Sequence, residues 1–311
     1  MYEILKKNGD SLEKINSYQV DSWVRVVSPN EQEISFLTEK FNLPRDFFSD
    51  LLDIDEIARF EPDDNSFLMV IRIPVCDDIN GESNYYTIPI GVIVVFGQCI
   101  ITVSYKDNDI INSFINIKKR VMDLENRFVS ILQIINRTVN LYITYLKHIR
   151  QRSIILEKEF EKNQRNESLI KLYSIEKTLI NYRTSLRTNL TMVSKMQRSK
   201  FFGLTDDEKE LLEDVIVDLN QAVDMAERYS DIMNELMNFF SSIINNNLNR
   251  VMKLLTAITI IIAVPTLVAS IYGMNVDLPF RDSPHAFMFV MIISFLATIL
   301  VAVIFFLRKW L

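Results

Sequence analysis

The sequence predicts an α/β domain that leads through two antiparallel helices into one very long helix, and from there into a two-helix membrane hairpin. Three observations carry this reading. Alternating, β-branched segments are confined to about the first 110 residues. From about Ile110 onward apolar residues recur at three- and four-residue spacing. The C-terminal part holds two uncharged apolar runs, Leu254 to Ile271 and Ala286 to Leu307, each close to the roughly 20 residues that cross a hydrocarbon core of about 30 Å.

Composition agrees. The 311 residues are 24% charged and 49% hydrophobic, too polar for a many-span carrier and too apolar for an ordinary soluble enzyme. The net charge of −6 argues against nucleic acid as the main partner. Met1 to Ser17 alternates polar and apolar residues and lacks an apolar core, so no signal peptide is expected. Cys76 and Cys99 lie in strand-like contexts and read as reduced thiols. His148 and His285 stand alone, which offers no histidine metal site, and no nucleophile, base pair or phosphate loop marks an enzyme.

The first 110 residues mix strands and short helices. Val20 to Val27 alternates as a strand. Asn30 and Glu33 are spaced as a capping box for a helix through Ile34, Leu37 and Phe41. Leu43-Pro44 restarts a short helix with Phe47, Phe48, Leu51 and Leu52. Phe67 to Val75, Tyr85 to Phe96 and Ile100 to Ser104 read as strands, the last two joined by a turn at Gly97-Gln98.

Two helical stripes follow. Leu124, Phe128, Ile131, Ile135, Tyr142, Leu146 and Ile149 form the first; Leu172, Ile175, Leu179, Tyr182, Leu186, Leu190 and Val193 form the second, with a polar break near Asn163 to Asn166. Thr205 to Glu208 is a second capping box, and no Gly or Pro interrupts the pattern until Pro265. That predicts one helix of about 67 residues, roughly 100 Å at 1.5 Å per residue. Leu212, Val215, Leu219, Ala222, Ala226, Tyr229, Met233, Leu236, Phe240 and Ile243 keep a coiled-coil period along it.

A second stripe on this helix is small and polar: Asn249, Met252, Thr256, Thr259, Ala263, Thr266, Ser270 and Gly273. Its backward projection takes in Asp224, Asp231, Glu235, Asn238, Ser242 and Asn245, with Arg228 as an interruption. Tight helix packing is one explanation, since small residues and Thr are common at membrane helix contacts. A face that stays polar for many turns, and acidic on the cytoplasmic side, suits water and cations better, and that needs several copies about an axis. Orientation follows from Arg250 and Lys253 before the first span and Arg308 and Lys309 after the second, against Arg281, Asp277 and Asp282 in the loop. The positive-inside rule then puts both termini in the cytoplasm. The expected divisions are 1–110 (α/β), 111–203 (helical pair), 204–253 (stalk), 254–275 (first span), 276–285 (outer loop), 286–307 (second span) and 308–311 (tail).

At Tyr272-Gly273-Met274-Asn275 the chain resembles the CorA family of divalent-cation channels, whose signature is Gly-Met-Asn at the end of the first of two C-terminal spans. Val251 to Thr256, Pro265-Thr266, the Arg308 to Leu311 tail and the order of elements are similar too, so the resemblance covers essentially the whole chain. It implies a homopentameric funnel in the cell (inner) membrane that moves Mg2+ inward, with divalent cations, the bilayer and its own copies as partners. It implies that Gly273, Met274 and Asn275 form the selectivity filter, and that Asn275 forms a ring at the outer mouth; a helix C-cap is the plainer role for Asn275, and the two are compatible. By similarity Asn249, Met252, Leu255, Thr256 and Thr266 line the pathway, joined by Thr259, Ala263 and Ser270 of the stripe. Met252 and Leu255 would form its apolar constriction. Ala263 replaces a Met common in the family, and Val276 to Phe280 departs from the family's Met-Pro-Glu loop. The resemblance also implies a regulatory Mg2+ between protomers, held by Asp214 and by Asp77, placed just after its strand, with Asp78 adjacent as a further candidate. Two alternatives stand beside this reading. One is a Zn2+, Co2+ or Ni2+ transporter of the same family, against which Met274 weighs. The other is a membrane-anchored coiled-coil scaffold without a pore, which would have no use for a row of threonines.

Overall fold

The computed structural model describes residues 2–9, 11–79, 82–116, 122–163, 166–199, 201–279 and 284–310. Phe280, Arg281 and Asp282 of the outer loop, and the terminal Met1 and Leu311, lie outside the described residues. The chain forms two compact units, Met1–Glu235 and Leu236–Leu311.

The first unit is built on a seven-stranded sheet in the order β2-β1-β3-β7-β6-β5-β4. Its strands are β1 (Tyr2–Asn8), β2 (Ser11–Ile15), β3 (Ser22–Val27), β4 (Arg59–Pro62), β5 (Ser66–Ile79), β6 (Glu82–Val95) and β7 (Cys99–Ser104). All neighbours are antiparallel except β3 and β7. The N-terminal alternation is therefore a β1–β2 hairpin, a pairing not expected from the sequence, and β4 is a further unexpected strand. β5 also runs past Val75 to Ile79, so Asp77 lies within the strand, opposite Asn84.

One face of the sheet is covered by α1 (Glu31–Phe41), α2 (Asp46–Ser49) and a 3-10 turn (Asp50–Leu52). The Asn30/Glu33 capping box opens α1 as the spacing predicts, with both reciprocal bonds made. Ile34, Leu37, Phe47, Phe48 and Leu51 pack there with Val24, Leu68, Val70, Ile93 and Ile101. Gly91 is required at this contact: a Cβ on it would come within 2.1 Å of Leu51 Cδ1. Residues of the opposite parity, including Trp23, Met69, Ile71 and Val92, are buried as well, so both faces are covered.

The helices that follow are α3 (Asp109–Asn116), α4 (Arg127–Asn163), α5 (Asn166–Arg198) and α6 (Asp206–Tyr272). Leu124 precedes α4 instead of opening it, because Asn126 caps the helix through Val129 N. α4 and α5 pack on β5 and β6, and the fastening is polar. β4 stops at Arg59, opposite Val70, so the next outward-facing backbone groups of β5, at Arg72, have no strand to pair with. Asn189 of α5 takes that place. Its Oδ1 accepts from Arg72 N at 2.9 Å and its Nδ2 donates to Arg72 O at 2.8 Å, while Tyr142 OH of α4 also donates to Arg72 O at 3.1 Å. Since Arg72 faces away from β6, its partner Pro89 owes β5 no N–H, and Pro74, two residues on, faces the same open side. Among the described residues the Arg72 guanidinium bonds only to neutral oxygens: the backbone carbonyls of Ile54, Glu56 and Thr87 and the hydroxyls of Thr87 and Ser185.

Phe201 and Phe202, between α5 and α6, pack on Phe60 and Phe67 at the β4 edge. The Thr205/Glu208 box then caps α6. In the first unit its buried line is Leu212, Val215, Leu219, Ala222, Ala226, Ser230 and Met233; Ser230 occupies the place expected of Tyr229, which is half-exposed. In the second unit α6 ends at Tyr272 and α7 runs Ala286–Leu307, as the two apolar runs predict. α7 stops in a Schellman turn: Lys309 is left-handed (φ 56°), its N–H bonds to Phe306 O at 3.1 Å and Trp310 N–H bonds to Phe305 O at 3.0 Å. The Trp310 and Phe305 rings stack at 5.4 Å, supplying the apolar contact such turns favour.

Replacing Asn189 by Ala leaves the Arg72 N–H unpaired and should cost about 2–3 kcal/mol. Urea unfolding followed by Trp23 fluorescence in a Trp310→Phe background is expected to show that loss as a lower midpoint with unchanged slope.

Candidate functional site

The site expected from the sequence is one face of α6 in the second unit. An apolar segment of this length stays helical because a helix satisfies its own backbone groups. Pro265 sits inside α6 and removes the N–H that the Ile261 carbonyl would ordinarily receive. Only one side of the helix is covered. Ala257 is fully buried, and Ile261, Val264, Pro265, Val268 and Tyr272 are half-buried. On α7 the covered residues are mostly small: Ala286, Val290, Ser294, Ala297, Thr298, Val301 and Ala302, with Phe305. Small residues on a helix face allow close approach.

The stripe of small and polar residues lies on the opposite side. At 3.6 residues per turn, Asn249, Met252, Thr256, Thr259, Ala263, Thr266 and Ser270 stand about half a turn from the covered line, and all are exposed; Leu255 borders them and is exposed too. Three of the hydroxyls are already committed as donors. Thr256 Oγ1 donates to Met252 O at 2.8 Å, Thr259 Oγ1 to Leu255 O at 2.8 Å and Thr266 Oγ1 to Ile262 O at 3.1 Å. A hydroxyl that spends its proton on the preceding turn keeps its lone pairs for something outside the helix. The face therefore presents oxygen acceptors.

At its upper end the signature follows the last helical residue. Gly273 N–H is shared between Ala269 O at 3.0 Å and Ser270 O at 3.2 Å, and Gly273 is not among the glycines with positive φ. The helix thus ends without a left-handed glycine. Asn275 is likewise not in the left-handed conformation, so it does not serve as a C-cap of that kind. Its side chain is exposed and makes no hydrogen bond to another described residue. Met274 is exposed beside it.

The expected regulatory residues lie in the first unit. Asp77 is engaged: Lys106 Nζ is 2.8 Å from both of its oxygens and Tyr86 OH donates to Oδ2 at 2.7 Å. The Lys106 ammonium, then the Tyr86 hydroxyl, holds the Asp77 carboxyl below the usual carboxylate range. Asp78 is exposed. Asp214 is exposed too, on a groove of about 730 Å³ whose lining includes Phe114, Gln133, Arg137 and Val215. Among the described residues Asp77 and Asp214 share no hydrogen bond, and no three His, Cys, Asp or Glu side chains converge on a metal position. Lys106 and Tyr86 were not expected from the sequence; the alternation that places Tyr86 in β6 gave no sign of a lysine reaching back from beyond β7.

Comparison with known proteins bears on the chain as a whole. The family model described as CorA-like Mg2+ transporter protein matches residues 19–309. The cobalt/magnesium transport protein CorA of Methanocaldococcus jannaschii is 27% identical over 273 residues, covering 86% of this chain and 84% of its own. The magnesium transport protein CorA of Campylobacter jejuni is 24% identical, with both chains covered completely. Among solved structures, the complete CorA magnesium transporter of M. jannaschii superposes with a TM-score of 0.84 at 23% identity, covering 100% of this chain and 99% of its own. The ZntB cytoplasmic domain of Vibrio parahaemolyticus matches at 0.60 and 15% identity over 79% of this chain and 97% of its own, a likeness of fold. A family model that runs from β3 through α6 and α7 leaves one assignment: this chain belongs to the CorA-like Mg2+ transporter family, whose members are membrane transporters of divalent cations.

Proposed function

We propose that the chain is a passive Mg2+ influx channel. It assembles as a homopentamer in the cell membrane, with both termini cytoplasmic and residues 276–285 outside. The observation that carries this reading is the position of the small, polar face of α6, exposed on the side of the helix opposite its covered line. Close helix contact accounts for small residues on such a face, but a line of oxygen acceptors that stays exposed over several turns is better matched by water and ions running along it. Copies arranged about an axis would turn these faces inward.

Asn275 is then the selecting ring. Mg2+ gives up its water reluctantly, so neutral amide oxygens hold the hydrated ion through its shell. They also let it go, which conduction demands. Gly273 keeps the carbonyls below that ring uncovered. The outward oxygens of Thr266, Thr259 and Thr256 pass the ion on, and Met252 and Leu255 close the path by excluding water. Asn249 follows on the cytoplasmic side. Inward movement needs no coupled ATP, since a potential of 100 mV is worth about 4.6 kcal/mol to a divalent ion, at roughly 2.3 per charge. Control by cytosolic Mg2+ is assigned to Asp214, whose exposed carboxylate has no partner among the described residues. The names of the relatives supply cobalt as a second cargo to test.

Two measurements test the path, both in proteoliposomes with an internal Mg2+ dye. Asn275→Ala, with the oligomer intact by light scattering, is expected to lose about tenfold or more of the wild-type flux, the worth of one hydrogen bond to a charged species; equal flux would remove the filter assignment, and no divalent flux in the wild type would favour a pore-less scaffold. Leu255→Asn should act in the opposite sense. A polar side chain at a dewetted constriction admits water, so resting flux should rise several-fold at inhibitory Mg2+. An unchanged resting flux would place the gate elsewhere.

A further inference from the structure

Lys106 stands two residues beyond the end of β7, and its side chain returns over the β5–β6 pair. Nζ lies 2.8 Å from each Asp77 oxygen and 3.0 Å from the Tyr86 hydroxyl. Tyr86 in turn donates to Asp77 Oδ2 at 2.7 Å, and Nζ is 5.7 Å from the centre of its ring. The three groups close a triangle of one cation, one anion and one hydroxyl that serves both. Strand pairing fixes two of its corners, since Val75 lies opposite Tyr86 and Asp77 opposite Asn84. Asp77 and Lys106 keep 37% and 41% of their side chains exposed, so ions from solution reach them.

The residues at Asp77 do not fit the regulatory Mg2+ that the family resemblance implies. Mg2+ takes carboxylate oxygens and retains water in a near-octahedral shell. Here both oxygens already accept from an ammonium, and a divalent ion would stand against a fixed positive charge. At about 4 Å that repulsion alone weakens binding on the order of tenfold, even with the screening of water. A lysine ammonium is charged at physiological pH in its own right, and the two Asp77 oxygens and the Tyr86 hydroxyl hold it in place.

We propose that Lys106 is a built-in occupant of the Asp77 position, its ammonium filling the place of a divalent cation, so that Asp77 takes no part in cation control. A divalent ion binds at Asp77 only when the lysine side chain is removed. The inference concerns binding, not conduction, and stands apart from the transport reading.

Mn2+ titration of the detergent-purified full chain, read by electron paramagnetic resonance, tests it. Wild type and Asp77→Asn are expected to bind the same number of Mn2+ ions with the same affinities. Lys106→Met should add one ion per chain, bound about tenfold or more tighter than any Asp77-dependent binding in wild type, and Lys106→Met/Asp77→Asn should lose it again. Lys106→Gln, with a neutral polar side chain, should behave like Lys106→Met. Loss of a bound ion on Asp77→Asn in the wild-type background overturns the proposal, and so does a Lys106→Met chain, folded by circular dichroism, that gains none. Flux assays on the same variants keep the two readings separate, since absence of transport would leave the Mn2+ result unaffected.

Discussion

Every backbone N–H and C=O withdrawn from water must find a partner, and the distinctive features of this chain are answers to that constraint. In the sheet it is met at Arg72. β5 outruns β4, and the open edge is paired by the amide of Asn189, a side chain 117 residues away in sequence. The same two bonds tie α5 to the sheet, and Tyr142 adds α4. Prolines at 74 and 89 are tolerated because they fall where no ladder bond is due.

In the second unit the constraint has a different answer. No water serves the middle of a bilayer, so the apolar run of α6 must be helical throughout. That leaves side chains to make the helix two-sided. The covered line from Ala257 to Tyr272 is apolar, while the opposite line carries threonines whose protons go to carbonyls one turn back. The bonds that reconcile the hydroxyls with an apolar segment also aim their lone pairs outward. The same bonds thus meet the demand of the membrane and leave oxygen acceptors exposed on one face of α6.

Charge placement divides the two units in kind. Along the described part of the span the candidate ligands are neutral oxygens, suited to weak, reversible contact with a hydrated ion. In the first unit the carboxylate at Asp77 is already matched by Lys106. A fixed ammonium and an exchangeable divalent ion are competing solutions to the same negative charge, and at this position the fold holds the first.

Local rules made much of this legible in the sequence alone. Two capping boxes, at Asn30/Glu33 and Thr205/Glu208, mark helix starts because the partners are three residues apart. The spans are visible because charge is excluded over a length fixed by the bilayer, and the polar stripe because helical periodicity is strict. What depends on distant partners was not legible. The β1–β2 hairpin and β4 are short, and their existence rests on neighbours β3 and β5. The extension of β5 to Ile79 comes from pairing with β6, which places Asp77 within a strand. Ser230 replaces Tyr229 in the buried line of α6, since packing, not hydrophobicity, sets the phase of a long helix. Lys106 meets Asp77 across 29 residues, and such a contact is decided by chain path, which only the tertiary structure determines.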